Sequence, residues 1–213
     1  MIHSPSEVVS MPRSNQSTNL HKVSSWGLPI LLAIPAVLLI VDVATTAWSK
    51  SFYHSLMHTS GEFGVRMLVV SLLATPILRA WPTSPIGRWL RRYRRTFGLA
   101  AFFYGALHFS FYIMNETPGD VLADIPSYFY ATGWLGILLM LPLAITSTKG
   151  WQRRLRKRWV KLHKAAYFAA VAVAIHWMLK KGSPVSTPIL VHFVPLLLFQ
   201  ANRWRLARQR RAT

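Results

Sequence analysis

The chain has 213 residues, 52% of them apolar, with a formal net charge of +19 and no cysteine. The lack of thiols excludes disulfides, cysteine-ligated iron–sulfur clusters and a haem attached through C-x-x-C-H, and leaves histidine to hold any non-covalent redox cofactor. So much positive charge on a soluble protein points to nucleic acid. Here apolar stretches alternate with short basic loops that lack interleaved aromatic pairs, so the charge reads as topology signal and contact with anionic lipid, with no nucleic-acid partner.

In chain order, residues 1–23, rich in Ser and Asn, are expected to form a disordered cytoplasmic extension. No cleavable signal peptide is expected, because the first apolar run starts near residue 26 and is too long for an h-region. A membrane-spanning helix needs roughly 20 apolar residues, since the hydrocarbon core is about 30 Å thick and each residue rises about 1.5 Å. Six stretches meet that length: 26–48, 64–81, 97–114, 128–147, 162–179 and 185–202. Most end in aromatic residues, among them Trp26, Trp48, Trp81, Tyr128 and Trp204, as an interfacial belt would. Pro76, Pro142, Pro188 and Pro195 fall inside these spans as kinks.

Between the spans, the 79–95 loop carries six arginines and the 149–164 loop eight basic residues, neither with an acid, and the tail adds Arg203, Arg205, Arg208, Arg210 and Arg211. Glu62, Glu116, Asp120 and Asp124 fall on the opposite side. Positive residues stay in the cytoplasm. The predicted fold is an all-α integral membrane protein of the bacterial inner membrane, a bundle of six transmembrane helices with both termini cytoplasmic. Residues 24–204 form its membrane domain and 205–213 a basic tail. The longest outer loop, 115–127, is expected to stay non-helical because of Pro118, Gly119 and Pro126, and this loop and 49–62 are candidates for docking a partner.

Four of the eight histidines, His108, His163, His176 and His192, lie in or at the edge of spans, where an ionisable residue is costly and functional. His108 and His176 fall about 10 Å and about 6 Å below the outer ends of two spans that run the same way. Neutral imidazole is an ordinary axial ligand of haem iron. The pair therefore predicts one haem in the outer half of the bilayer, with both axial positions filled and no open site for dioxygen. His163 lies about 20 Å deeper than His176 and is open to three readings: a second haem, contact with a flavin or quinone, or an interfacial position. His192 is the rival ligand. His54 and His58 are expected on the outer surface, and His3 and His21 belong to the extension.

The run Arg94-Arg95-Thr96-Phe97-Gly98-Leu99, ending in Leu107-His108-Phe109-Ser110, resembles the haem-binding membrane subunits of periplasmic protein-methionine-sulfoxide reductase systems, within the ferric-reductase-like transmembrane superfamily. So do His58-Thr59-Ser60-Gly61, Leu73-Ala74-Thr75-Pro76, Thr146-Ser147-Thr148, Trp159-Val160-Lys161-Leu162-His163-Lys164 and Ile175-His176-Trp177. The resemblance covers about residues 55–180. It implies a haem b and FMN, with electrons taken from membrane quinol. They would pass to a periplasmic molybdopterin-containing methionine sulfoxide reductase in a heterodimer that repairs oxidised proteins. It implies His108 and His176 as axial ligands and His163 as a further haem-associated histidine. The chain would then be the electron-transfer subunit and its partner the catalytic one. Arg95 stands where two-haem relatives carry a histidine. A cluster of Arg94, Arg95 and His163 is a candidate cradle for the flavin phosphate, since Arg pairs well with phosphate. The alternative is a ferric or cupric reductase-type cytochrome b with another partner. A stand-alone reductase would need a nucleotide-binding domain, and the chain contains no G-x-G-x-x-G.

Overall fold

The computed structural model describes the backbone of residues 16–180 and 187–212, and every described element is helical. The helices are α1 (Gln16–Thr45), α2 (Lys50–Ala80), α3 (Pro85–Asn115), α4 (Pro118–Asp124), α5 (Tyr128–Ile145), α6 (Lys149–Leu155), α7 (Lys157–Leu162), α8 (Ala165–Met178) and α9 (Thr187–Ala212). Four of them are long and apolar enough to cross a membrane: Trp26–Thr45 within α1, then α2, α3 and α5. The chain is an integral membrane protein. The expected fifth span is shorter than predicted: α8 has 14 residues, about 21 Å at 1.5 Å per residue.

Capping residues explain where the helix starts differ from the reading of hydropathy. Ser49 accepts a hydrogen bond from Phe52 N at 3.2 Å, so α2 begins at Lys50 and takes His54 and His58 into the helix. Ser84 accepts from Gly87 N at 3.1 Å with Pro85 in the first turn, so Arg88 to Arg95 are helical and not a loop. The 115–127 stretch also contains a helix. Thr117 and Asp120 form a reciprocal capping box, and Pro118 occupies the first turn, where its missing N–H costs nothing. Proline and glycine there start α4 instead of preventing it. On the basic side, the 149–164 stretch folds as α6 and α7, which break at Arg156 with φ 46°. Helix α1 begins at Gln16, inside the stretch read as an extension; residues 1–15, with His3, lie outside the described residues.

Helices α2 and α3 form the central pair, α5 lies against α8, and α9 lies along α2. The core draws Val65, Leu68 and Leu72 from α2, Ala101 from α3, Met140 from α5, Ala169 and Ala170 from α8, and Phe193 and Leu196 from α9. Small residues set the spacing: a Cβ on Gly64 would lie 3.4 Å from Gly105 N of α3. Helix α1 packs outside this core through Leu39, against Leu56 and Phe111, and through the Tyr104 hydroxyl, which donates to the Leu32 carbonyl at 2.8 Å. The rest of α1 exposes Trp26, Ile30, Leu31 and Leu38, a surface suited to lipid. Pro76 cannot donate to the carbonyl of Leu72, one turn earlier. That carbonyl instead accepts from the Gln200 amide of α9 at 3.3 Å, a polar tie between two helices.

Candidate functional site

His108 projects from α3 and His176 from α8, and their ring centres are 6.3 Å apart with planes at 88°. Each ring is fixed from the side facing a neighbouring helix. His108 Nδ1 donates to the Met57 carbonyl of α2 at 3.0 Å and lies 3.3 Å from Ser60 Oγ, whose own hydrogen goes to the Leu56 carbonyl at 2.6 Å. His176 Nδ1 donates to the Phe129 carbonyl of α5 at 2.8 Å, and the Phe129 ring stacks on the imidazole at 4.4 Å. A carbonyl can only accept, so in each neutral ring the proton sits on Nδ1 and Nε2 keeps its lone pair.

Two glycines permit this placement. A Cβ on Gly61 would lie 3.1 Å from His108 Nδ1, and one on Gly133 would lie 3.0 Å from both Cε1 and Nδ1 of His176. Both contacts are tighter than the separation of about 3.5–4.0 Å at which carbon atoms rest. Each histidine therefore lies against a bare stretch of helix backbone.

The two imidazoles line a cavity of about 1130 Å³ bounded by α2, α3, α5 and α8. Its floor is apolar, with Leu68, Ala101 and Met140. Its mouth is polar, with Lys50, His54, Glu116, Asp124 and Lys180. With metal–imidazole bonds of about 2.0 Å, a single ion has room between two rings whose centres lie 6.3 Å apart. The observed spacing fits. Trp134 also lines the cavity. The pair of imidazole donors, their spacing and the glycine-lined walls fit a planar iron porphyrin.

At the mouth, aromatic rings run outward from the site. Phe129, stacked on His176, meets Tyr130 at 4.9 Å; Tyr130 meets Tyr112 at 5.3 Å; and the Tyr112 hydroxyl donates to Asp124 Oδ2 at 2.8 Å. Glu62 joins His58, 3.6 Å away, to Arg66 at 2.6 Å. His54 and His58 are exposed, as expected.

The other sequence candidates lie elsewhere. His163 does not line the cavity: its Nε2 is 3.1 Å from Thr146 Oγ1 and its ring stacks on Trp159 at 3.9 Å. It sits in the turn between α7 and α8, outside the spanning helices. Burial, and then the nearby Arg94 guanidinium, hold its pKa below the ordinary value. Among the described residues no three His, Asp or Glu side chains gather as a metal site, so the structure joins His108 to His176 and leaves His163 apart. Arg94 reaches Thr75 Oγ1 at 3.4 Å, and Arg95 is exposed. His192 packs beside Trp177 at 5.7 Å and does not line the cavity, so it is not placed as the rival ligand.

Sequence reasoning missed Gly133, Trp134 and the two carbonyls, and quoted Gly61 and Ser60 without a role. The available signal was the pair of three-residue glycine spacings, Gly61/Gly64 and Gly133/Gly136, on two helices.

Residues 60–174 match the family described as ferric reductase like transmembrane component. The chain is 40% identical over 158 residues to the protein-methionine-sulfoxide reductase heme-binding subunit MsrQ of Rhodospirillum rubrum, covering 71% of this chain and 74% of that protein. It is 33% identical over 191 residues to the MsrQ subunits of Brucella ovis and Brucella canis, covering 86% of this chain and 83% of each relative.

Proposed function

Because the chain belongs to the ferric-reductase-like transmembrane family, and to the family of MsrQ heme-binding subunits, we propose that it is a membrane electron-transfer subunit holding haem b between His108 and His176. The observation that carries this reading is the pair of imidazoles 6.3 Å apart, each with Nδ1 committed to a carbonyl of the neighbouring helix. When bound, the haem supplies one-electron chemistry, and two imidazole ligands leave its iron no open position. The protein's own contribution is positional. The carbonyls of Met57 and Phe129 hold each ring in the tautomer whose Nε2 can ligate, as outer partners of metal-bound histidines do. Gly61 and Gly133 admit the rings, and the apolar floor excludes water.

The finer parts of the proposal follow from the same family. We place the protein in the bacterial inner membrane with six spans and both termini cytoplasmic, α8 and α9 joining the other four. Its donor is membrane quinol and its partner a periplasmic molybdopterin-containing methionine sulfoxide reductase, met at the polar mouth. FMN, where present, would set its phosphate near Arg94, Arg95 and His163; the closeness of Arg94 to His163 supports that grouping.

The test is a visible spectrum of purified protein, oxidised and then reduced with dithionite. Six-coordinate haem gives a Soret band and sharp α and β bands on reduction. His108→Ala and His176→Ala should each lose most of the haem, whereas His192→Ala should retain it. Full haem in both of the first two variants overturns the assignment. The family match also supports the ferric or cupric reductase reading. Oxidation of the reduced haem by ferric chelates but not by the reductase partner would favour it.

A further inference from the structure

Two lysines line the cavity that holds His108 and His176. Lys50 opens α2, Lys180 follows the last turn of α8, and both stand at the mouth. Three carboxylates also line the cavity, and each has a donor of its own. Glu62 holds Arg66 at 2.6 Å, Asp124 accepts from the Tyr112 hydroxyl at 2.8 Å, and Glu116 accepts from Asn115 Nδ2 at 2.9 Å. Among the described residues the ion pairs join Glu62 to His58 and Arg66, and none reaches Lys50 or Lys180. On the topology proposed above both lysines lie on the outer side, against the preference that keeps cations in the cytoplasm.

Their position matches the change of polarity along the cavity. Lys50, His54, Met57, Gly61, Val65 and Leu68 follow one another at steps of three and four, so one face of α2 runs from charged mouth to apolar floor. Gly61, the bare backbone against which the His108 ring lies, is on that face. Lys180 follows His176 by four residues, about one turn or 6 Å farther out. A lysine stem is long and flexible enough to bring its ammonium from water to the cavity wall. A ligand that fills the cavity therefore meets apolar side chains at one end and two cations without an acid partner at the other. A carboxylate drawn into such a space is costly unless a cation meets it, and a charge-assisted hydrogen bond supplies the match.

We propose that Lys50 and Lys180 bind the two propionate groups of the haem, which stands with its charged edge at the mouth and its apolar edge on Leu68, Ala101 and Met140. The proposal rests on the haem reading above and adds to it the way round in which the porphyrin is held. The propionates are the charged substituents of haem b, and the others are methyl and vinyl. The reverse orientation would set two carboxylates against Leu68, Ala101 and Met140, far from either lysine.

The experiment follows haem transfer from the purified holoprotein to excess apomyoglobin, together with the propionate bending band in its resonance Raman spectrum. Lys50→Met and Lys180→Met should each speed transfer about two- to fivefold, the scale of an ion pair near the surface, and the double variant about tenfold. The propionate band should shift in each variant while the bands of six-coordinate iron stay in place. Lys149→Met, in α6 and outside the cavity, should change neither. In a second arm, protein stripped of haem is reloaded with haem dimethyl ester, whose propionates carry no charge. The ester should leave the unaltered protein and the double variant at the same rate. Unchanged transfer with an unmoved propionate band overturns the proposal. So does an equal acceleration with the ester, because a lysine that merely supports the fold acts on both ligands alike. Where the stripped protein takes up no ester, or the double variant holds no haem, the Raman band of the single variants decides. Either overturning result in coloured protein leaves the haem reading standing, whereas colourless unaltered protein rejects the haem reading itself.

Discussion

Replacing Gly133 by alanine tests the geometry of the site without touching a ligand. The added methyl would lie 3.0 Å from Cε1 and Nδ1 of His176, against resting contacts of about 3.5–4.0 Å, so the ring must retreat by about half an ångström or more. It has little freedom to do so, because Nδ1 is tied to the Phe129 carbonyl at 2.8 Å and the Phe129 ring stacks on its face. Overpacking of this kind costs about 1–3 kcal/mol, which is roughly a fivefold to 150-fold loss of haem affinity at 1.4 kcal/mol per decade. Helix propensity works the other way, since alanine is favoured over glycine by about 1 kcal/mol, so thermal stability of the haem-free protein should not fall in parallel. The assay is haem transfer to an excess of apomyoglobin, followed at the Soret band. Gly98→Ala is the control, because its methyl meets only Ser71 Oγ at an ordinary 3.5 Å. Haem transfer from Gly133→Ala at the same rate and extent as from Gly98→Ala would refute the claim that this glycine makes room for a ligand.

Gln200→Leu leaves the Leu72 carbonyl without a donor and should cost about 1–3 kcal/mol, seen as a lower melting temperature in detergent. Pro76→Ala restores the helical N–H and should recover most of that loss in the double variant, with independent additive effects as the contrary outcome. Arg94→Ala together with Arg95→Ala should reduce the flavin content of purified protein, and flavin at the level of the unaltered protein would remove the phosphate cradle from the scheme.

Hydropathy and charge distribution were enough to read a helical membrane protein, because a backbone in hydrocarbon must satisfy its own hydrogen bonds and the length of an apolar run reports the thickness it crosses. His108 and His176 were legible as a pair for the same reason: depth follows directly from residue count along a helix. Helix ends were less legible. The capping box at Thr117 turns Pro118 from a breaker into a first-turn residue, and Ser49 starts α2 well before the apolar run. Both depend on a few local hydrogen bonds that an average over apolar residues does not register.

Helix rotation and approach were decided only in three dimensions. Counting along one chain says nothing of which residues face which across two helices, so Gly133 against His176, the carbonyls of Met57 and Phe129, and the Gln200 amide on Leu72 became visible only once the helices were packed. The separation of His163 from the pair has the same origin: the chain turns between α7 and α8, so the imidazole faces Thr146 and not the cavity. Residue types along the chain name the candidate ligands, but the angles at which helices meet choose among them, because ligation depends on a few ångströms between side chains far apart in sequence.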